Sequence, residues 1–146
     1  MKIKIVVIGK IKEKIYQQRI LEYMKWVNQD IQTDMIVLKD ANDKKLNQKL
    51  KPYLNSDNYT ICVSEYGMQL SSKQLSKFIF EKTQNLTFFI GGPDGHPEMI
   101  RKESNSILSL SHLTLPHEMA LLVLTEQLFR AISIKKGTKY HRVYIK

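Results

Sequence analysis

Five short β-prone runs alternate with stretches of helical period along this chain, and that alternation constrains the fold more than any other feature. Parallel strands cannot be joined by a tight turn; each pair needs a crossover of roughly a dozen or more residues, usually a helix. Lys2–Ile8 alternates Lys with Ile and then turns continuously apolar, as a strand does when its second half is covered on both faces. Further strands are predicted at Met35–Leu38, Tyr59–Ser64, Leu86–Ile90 and Ile107–Leu110. Between Glu13 and Asn28, Tyr16, Ile20, Tyr23, Met24 and Val27 recur at three- and four-residue steps, the stripe of an amphipathic helix. Leu46, Leu50 and Leu54 keep that step, with Pro52 placed to kink or end the helix early. Ser71 or Ser72 caps a helix that buries Leu75, Phe78 and Ile79, and a short helical stretch lies near Pro97–Glu103. Pro116 opens the last helix, largely buried and running to Ile134. The expected architecture is α/β, a mainly parallel sheet with helices on both faces, in a single domain over residues 1-146.

A single cysteine, Cys62, permits no internal disulfide, which suits a reducing cytoplasm. No apolar stretch approaches the roughly 20 residues of a membrane span, and the N-terminus lacks a cleavable leader pattern, so a cytoplasmic protein with no membrane partner is expected. Charge adds a partner class. Lys and Arg number 23 against 14 Asp and Glu, a net +9 that attracts polyanions. Nucleic acid is favoured over an acidic membrane because no strongly amphipathic basic helix is present, and a merely solvated basic surface is the plain alternative. The final twelve residues, Lys135–Lys146, hold five Lys or Arg, no acid, two tyrosines and a histidine, the one basic cluster interleaved with aromatics.

Most catalytic patterns are absent. Gly91-Gly92-Pro93-Asp94-Gly95 follows a late strand, lacks the Gly-Lys-Ser/Thr ending of a P-loop, and does not have dinucleotide-binding spacing. By itself it fits a plain tight connection or a ligand turn. His117-Glu118 hints at metal chemistry, but Leu121 stands where a zincin needs its second histidine, so no metal is expected. Cys62 sits inside a predicted strand and reads as inert packing, and no Gly-x-Ser-x-Gly elbow exists. What remains is Leu108–Glu118, a strand end running into a leucine-bearing loop before a proline-started helix. Such a loop fits a buried corner. That is the usual meaning of apolar side chains in a loop, but the stretch also suits an adenine slot, which needs an apolar cleft and a few hydrogen bonds to the ring edge.

Ile90–Gly95, Leu108–His117, Glu126-Gln127-Leu128-Phe129-Arg130-Ala131 and Tyr140-His141-Arg142, in this order, resemble the ribosomal RNA large subunit methyltransferase H family of the SPOUT superfamily. The likeness covers essentially the whole chain, including the Lys-Ile-x-Ile-Val start. It implies a Rossmann-like sheet with a C-terminal trefoil knot, a homodimer, and S-adenosyl-L-methionine as cofactor. The implied reaction is methylation of N3 of a pseudouridine in bacterial 23S ribosomal RNA, with the assembled 70S ribosome as substrate; a non-catalytic ribosome- or RNA-binding assembly factor is the alternative.

Carried over by motif, the cofactor positions fall on Val63, Gly91, Leu110, Ser111, His112, Leu113, Thr114 and Leu115. Loops at the carboxyl ends of parallel strands gather on one edge, so these segments are able to meet around one ligand. His141 is the first candidate to accept the proton of the target nitrogen, with Arg142 beside it and Glu126 a weaker candidate. Arg130, Lys135, Lys136, Lys139 and Arg142 are expected on phosphates and Tyr140 against a base. The chain departs from the family at Leu121, where many members carry arginine, at His96 and Leu113, and in the extension Val143–Lys146.

Overall fold

Strand β1 (Lys2–Ile8) shows why this sequence builds a sheet covered on two sides. Ile3, Ile5 and Val7 point to one face, Val6 and Ile8 to the other, and all five are buried, while Lys2 and Lys4 emerge at the open lower end of the second face. Lys4 lays its ammonium 5.9 Å from the ring centre of Tyr53, so its stem still covers apolar surface. The computed structural model describes residues 1–142, and the Val143–Lys146 extension lies outside the described residues.

After β1 come α1 (Lys14–Asn28), β2 (Gln32–Leu38), α2 (Asp43–Leu50), a 3-10 turn (Lys51–Tyr53), β3 (Asn58–Gln69), α3 (Ser72–Phe80), β4 (Asn85–Ile90), α4 (Glu98–Glu103), β5 (Ser106–Ser109) and α5 (His117–Lys136). The strands form one sheet in the order β2-β1-β4-β3-β5, parallel at every pairing. The predicted alternation therefore holds element by element. Pro52 ends α2 at Leu50, and the chain continues as the single tight turn. Ser71 is the cap of α3: its hydroxyl accepts from the Gln74 N–H, and the Gln74 side chain accepts from the Ser71 N–H.

Two cores lie on opposite faces of the sheet. On one, α1, α3 and α5 press Ile20, Met24, Leu75, Ile79, Leu121, Leu124 and Leu128 onto Ile5, Ile61, Phe88 and Leu108. On the other, Leu46 and Leu50 of α2 and Ile100 of α4 cover Val6, Ile8, Cys62 and Phe89. Leu121 is fully buried, so the position at which the resemblance leads one to expect an arginine is here part of the core and not of the surface. Burial also pushes the Cys62 thiol up to about 12, which keeps it protonated and unreactive at neutral pH.

The main departure from the sequence expectation is β3. It does not stop at Ser64 but continues to Gln69, and its pairing with β5 shifts: Leu108 is opposite both Val63 and Met68. Ser64–Gly67 thus leave the ladder as a bulge and rejoin it. Gly67 makes the return possible, since a Cβ there would lie 2.5 Å from the Ile107 carbonyl carbon and oxygen.

Candidate active site

The carboxyl ends of β3, β4 and β5 open into one cavity of about 480 Å³. Its walls come from the β3 bulge (Val63, Ser64, Glu65), the glycine turn after β4, the loop from Leu110 to Pro116, and the first turn of α5 with His117 and Ala120. Among the expected cofactor residues Val63, Gly91, Leu110, Ser111, Leu113, Thr114 and Leu115 line it; His112 is exposed and does not. The leucine loop is accordingly no buried corner. Leu113 is 73% exposed, a large apolar side chain held at the rim of an open space.

Local chemistry fixes each wall. The glycine turn closes on a hydrogen bond from the Gly95 N–H to the Gly92 carbonyl, 2.9 Å long. A Cβ on Gly91 would meet the Gly95 carbonyl carbon at 2.9 Å, so this glycine is demanded by the turn folding onto itself. His96, next in the chain, shares a 2.7 Å hydrogen bond between its Nε2 and the Val63 carbonyl, tying the glycine turn to the end of β3. Burial, the largest cause, lowers its pKa from the usual 6.5; the imidazole is therefore neutral at pH 7, and Nε2 carries the hydrogen because the carbonyl can only accept. The leucine loop is fastened by Ser109 and Ser111: the Ser109 hydroxyl donates to the Ser111 carbonyl at 2.9 Å, and the Ser111 hydroxyl accepts from the Leu113 N–H at 3.0 Å. Thr114 donates its hydroxyl to the Glu65 carboxylate, joining this loop to the bulge.

The start of α5 is bound to the other end of the chain. His117 Nε2 lies 2.9 Å from the Lys10 carbonyl, and the Glu118 carboxylate accepts the backbone N–H groups of Lys12 and Glu13 at 2.5 and 2.9 Å, capping α1. His117-Glu118 is thus a structural clasp. No group of three or more His, Cys, Asp or Glu side chains suited to a metal occurs among the described residues.

The tail residues assemble elsewhere. Glu126 takes Arg130 at 2.9 and 3.1 Å and the Tyr140 hydroxyl at 2.8 Å; the Arg130 guanidinium lies over the Tyr140 ring and reaches His141 Nδ1 at 3.2 Å. His141 is held further by its N–H donating to Ser133 Oγ. None of these residues lines the cavity, and the helical span from Ala120 to Ser133, where His141 is held, is roughly 20 Å long at about 1.5 Å per residue. Lys136 pairs with Asp30 at 2.9 Å, whereas Lys135, Lys139 and Arg142 are exposed and have no ion pair among the described residues. Ser64, Glu65, His96, His117 and Ala120 also line the cavity without having been expected there; Glu65 lies two residues beyond Val63, and His96 directly follows the glycine turn.

A parallel sheet with helices on both faces and a ligand-sized cavity at its carboxyl edge defines an α/β protein of doubly covered type, with its candidate ligand site where such sheets carry one. Within that class the chain belongs to the SPOUT methyltransferases: the family described as "Predicted SPOUT methyltransferase" matches residues 1–141. Curated relatives named Ribosomal RNA large subunit methyltransferase H include those of Streptococcus uberis, 36% identical over 97% of this chain and 100% of the relative, and Prochlorococcus marinus, 37% identical over 95% and 94%. A probable methylase family protein from Haemophilus influenzae superposes with a TM-score of 0.59 over 99% of this chain and 72% of its own at 11% identity, a likeness of fold. No described helix is long and apolar enough to cross a membrane.

Proposed function

We propose that this chain is an S-adenosylmethionine-dependent methyltransferase acting on ribosomal RNA, specifically on N3 of a pseudouridine in 23S RNA within the assembled 70S ribosome. The observation that carries the reading is the convergence of Val63, Gly91 and Leu113 on one open cavity, in a chain whose relatives are named for methylating large-subunit ribosomal RNA. The donor set fits the cofactor. Leu110, Leu113 and Leu115 offer apolar walls to a purine, strand-end backbone offers hydrogen bonds to its edge, and the volume lies in the ordinary range for such ligands.

When bound, the cofactor supplies an electrophilic methyl on a sulfonium. The residues of the chain hold it in line with the attacking nitrogen, and such positioning is worth several kcal/mol, on the order of 7 when fully realised. Because His141 stands roughly 20 Å along α5 from its own cavity, it serves the cavity of a second copy, which makes the homodimer part of the same reading. There His141 takes the imide proton. Arg142 follows it in the chain, while Glu126 is committed to Arg130 and Tyr140 and acts by holding the tail. Lys135, Lys139 and Arg142 meet phosphates, and Tyr140 and Arg130 shape the surface beside them. The trefoil knot belongs to this reading too: after β5 the chain passes over the carboxyl edge of the sheet, from the face of α4 to that of α5.

The deciding experiment uses labelled cofactor on 70S ribosomes, isolated subunits and free RNA, followed by mass mapping of the modified nucleotide. Label confined to protein or to small molecules overturns the reading. His141→Ala should lower turnover at least about tenfold with cofactor affinity nearly unchanged; an unaltered rate removes the base role. A non-catalytic RNA-binding assembly factor would have no use for the open cavity, and failure to bind the cofactor would favour it.

A further inference from the structure

We infer that Glu65 is the anchor for the ammonium group of the cofactor's amino-acid arm; the inference rests on the methyltransferase reading above and names a contact within its cavity. Glu65 is the one acidic residue among those lining the cavity, in a chain of net charge +9. It enters no ion pair among the described residues. Its place is built by the backbone. Were β3 to run straight past Val63, it would keep pairing with β5; instead Ser64–Gly67 leave the ladder, and the bulge turns Glu65 into the cavity wall. Gly67 allows that excursion to end, because any side chain there would strike the Ile107 backbone. Thr114, from the opposite loop, then donates its hydroxyl to Glu65 Oε2, which fixes the carboxylate between two walls and leaves Oε1 with no partner among the described hydrogen bonds.

A half-buried carboxylate without a cation beside it is an unbalanced charge, and the ligand proposed for this cavity carries two positive groups, a sulfonium and an α-ammonium. The ammonium is the better match. It offers hydrogen-bond donors to a carboxylate, which a sulfonium does not, and charge-assisted bonds of this kind are the strong ones. It also survives methyl transfer, so the contact holds cofactor and product alike. Thr114 is a positioning residue acting through Glu65.

The test is calorimetric binding of three ligands to the intact chain: S-adenosylmethionine, S-adenosylhomocysteine, and 5′-methylthioadenosine, which keeps the adenosine and thioether but lacks the amino-acid arm. Glu65→Gln should weaken the first two by about tenfold or more and leave the third unchanged. Glu65→Lys, which puts a cation at the same place, should deepen that selective loss. Equal weakening of all three ligands would mean that Glu65 grips the ribose hydroxyls or merely shapes the cavity, and no weakening of any would mean it makes no contact; each overturns the inference. If the unmodified protein binds none of the three, the methyltransferase reading itself fails and the anchor falls with it.

Discussion

His96 does a small mechanical job with a measurable pH signature. Its Nε2–H holds the glycine turn against the end of β3, while its Nδ1 is buried without a hydrogen-bond partner among the described atoms. Because burial lowers its pKa in the folded state, the unfolded chain binds a proton first as pH falls through 6.5. Stability from this residue is therefore fully present above that value and is lost progressively as pH drops toward the lowered folded pKa. Urea unfolding at about pH 7.5 and about pH 5.5 should show a fall in free energy that is shallower in His96→Gln, which keeps a donor for the Val63 carbonyl and cannot titrate. An identical pH slope in the two proteins would remove His96 from the account.

At the scale of elements, the clasp between α5 and α1 is the feature to test. Glu118 sits in the first turn of α5, the cavity's last wall, and at the same time accepts the N–H groups of the N-cap residue Glu13 and of Lys12 before it, where Glu13 makes no side-chain cap of its own. Glu118→Ala should cost about 1–2 kcal/mol of stability, read as a lower urea midpoint, and should weaken cofactor binding through the displaced first turn. Much of this layer was legible in the sequence, since strand and helix periods are local: the α3 cap at Ser71, the stop at Pro52 and the buried length of α5 follow from single residues. The bulge was not. Glu65-Tyr66-Gly67 break the apolar run of β3, with Tyr66 88% exposed, and only the non-local fit of Gly67 against Ile107 shows that the strand resumes. Likewise the cavity's leucine loop was readable from its composition as either core or cleft; the exposure of Leu113 distinguishes them and depends on contacts across three strands.

For the whole molecule, the basic charge divides into two populations. Arg130 and Lys136 are spent on Glu126 and Asp30, whereas Lys135, Lys139 and Arg142 stand exposed at the same end of α5. Ribosome binding measured against salt should therefore lose about 2 from the magnitude of its log–log slope when Lys135, Lys139 and Arg142 are all changed to Ala, at about 0.7 per single-strand phosphate contact. Arg130→Ala should leave that slope nearly intact while loosening the Tyr140–His141 segment, which would show as lost hydrogen-exchange protection. A slope equally altered by both would mean that the pairing with Glu126 opens on the ribosome.

Lys10, Lys12 and Glu13 lend their backbone to His117 and Glu118, more than a hundred positions later in synthesis. A nascent chain still missing its last helix has an uncapped α1 and a ligand cleft open along one flank, whatever the sheet has already achieved. Competence thus arrives only after translation has delivered α5, so fragments ending before that helix should neither retain cofactor nor compete with the longer chain for its target.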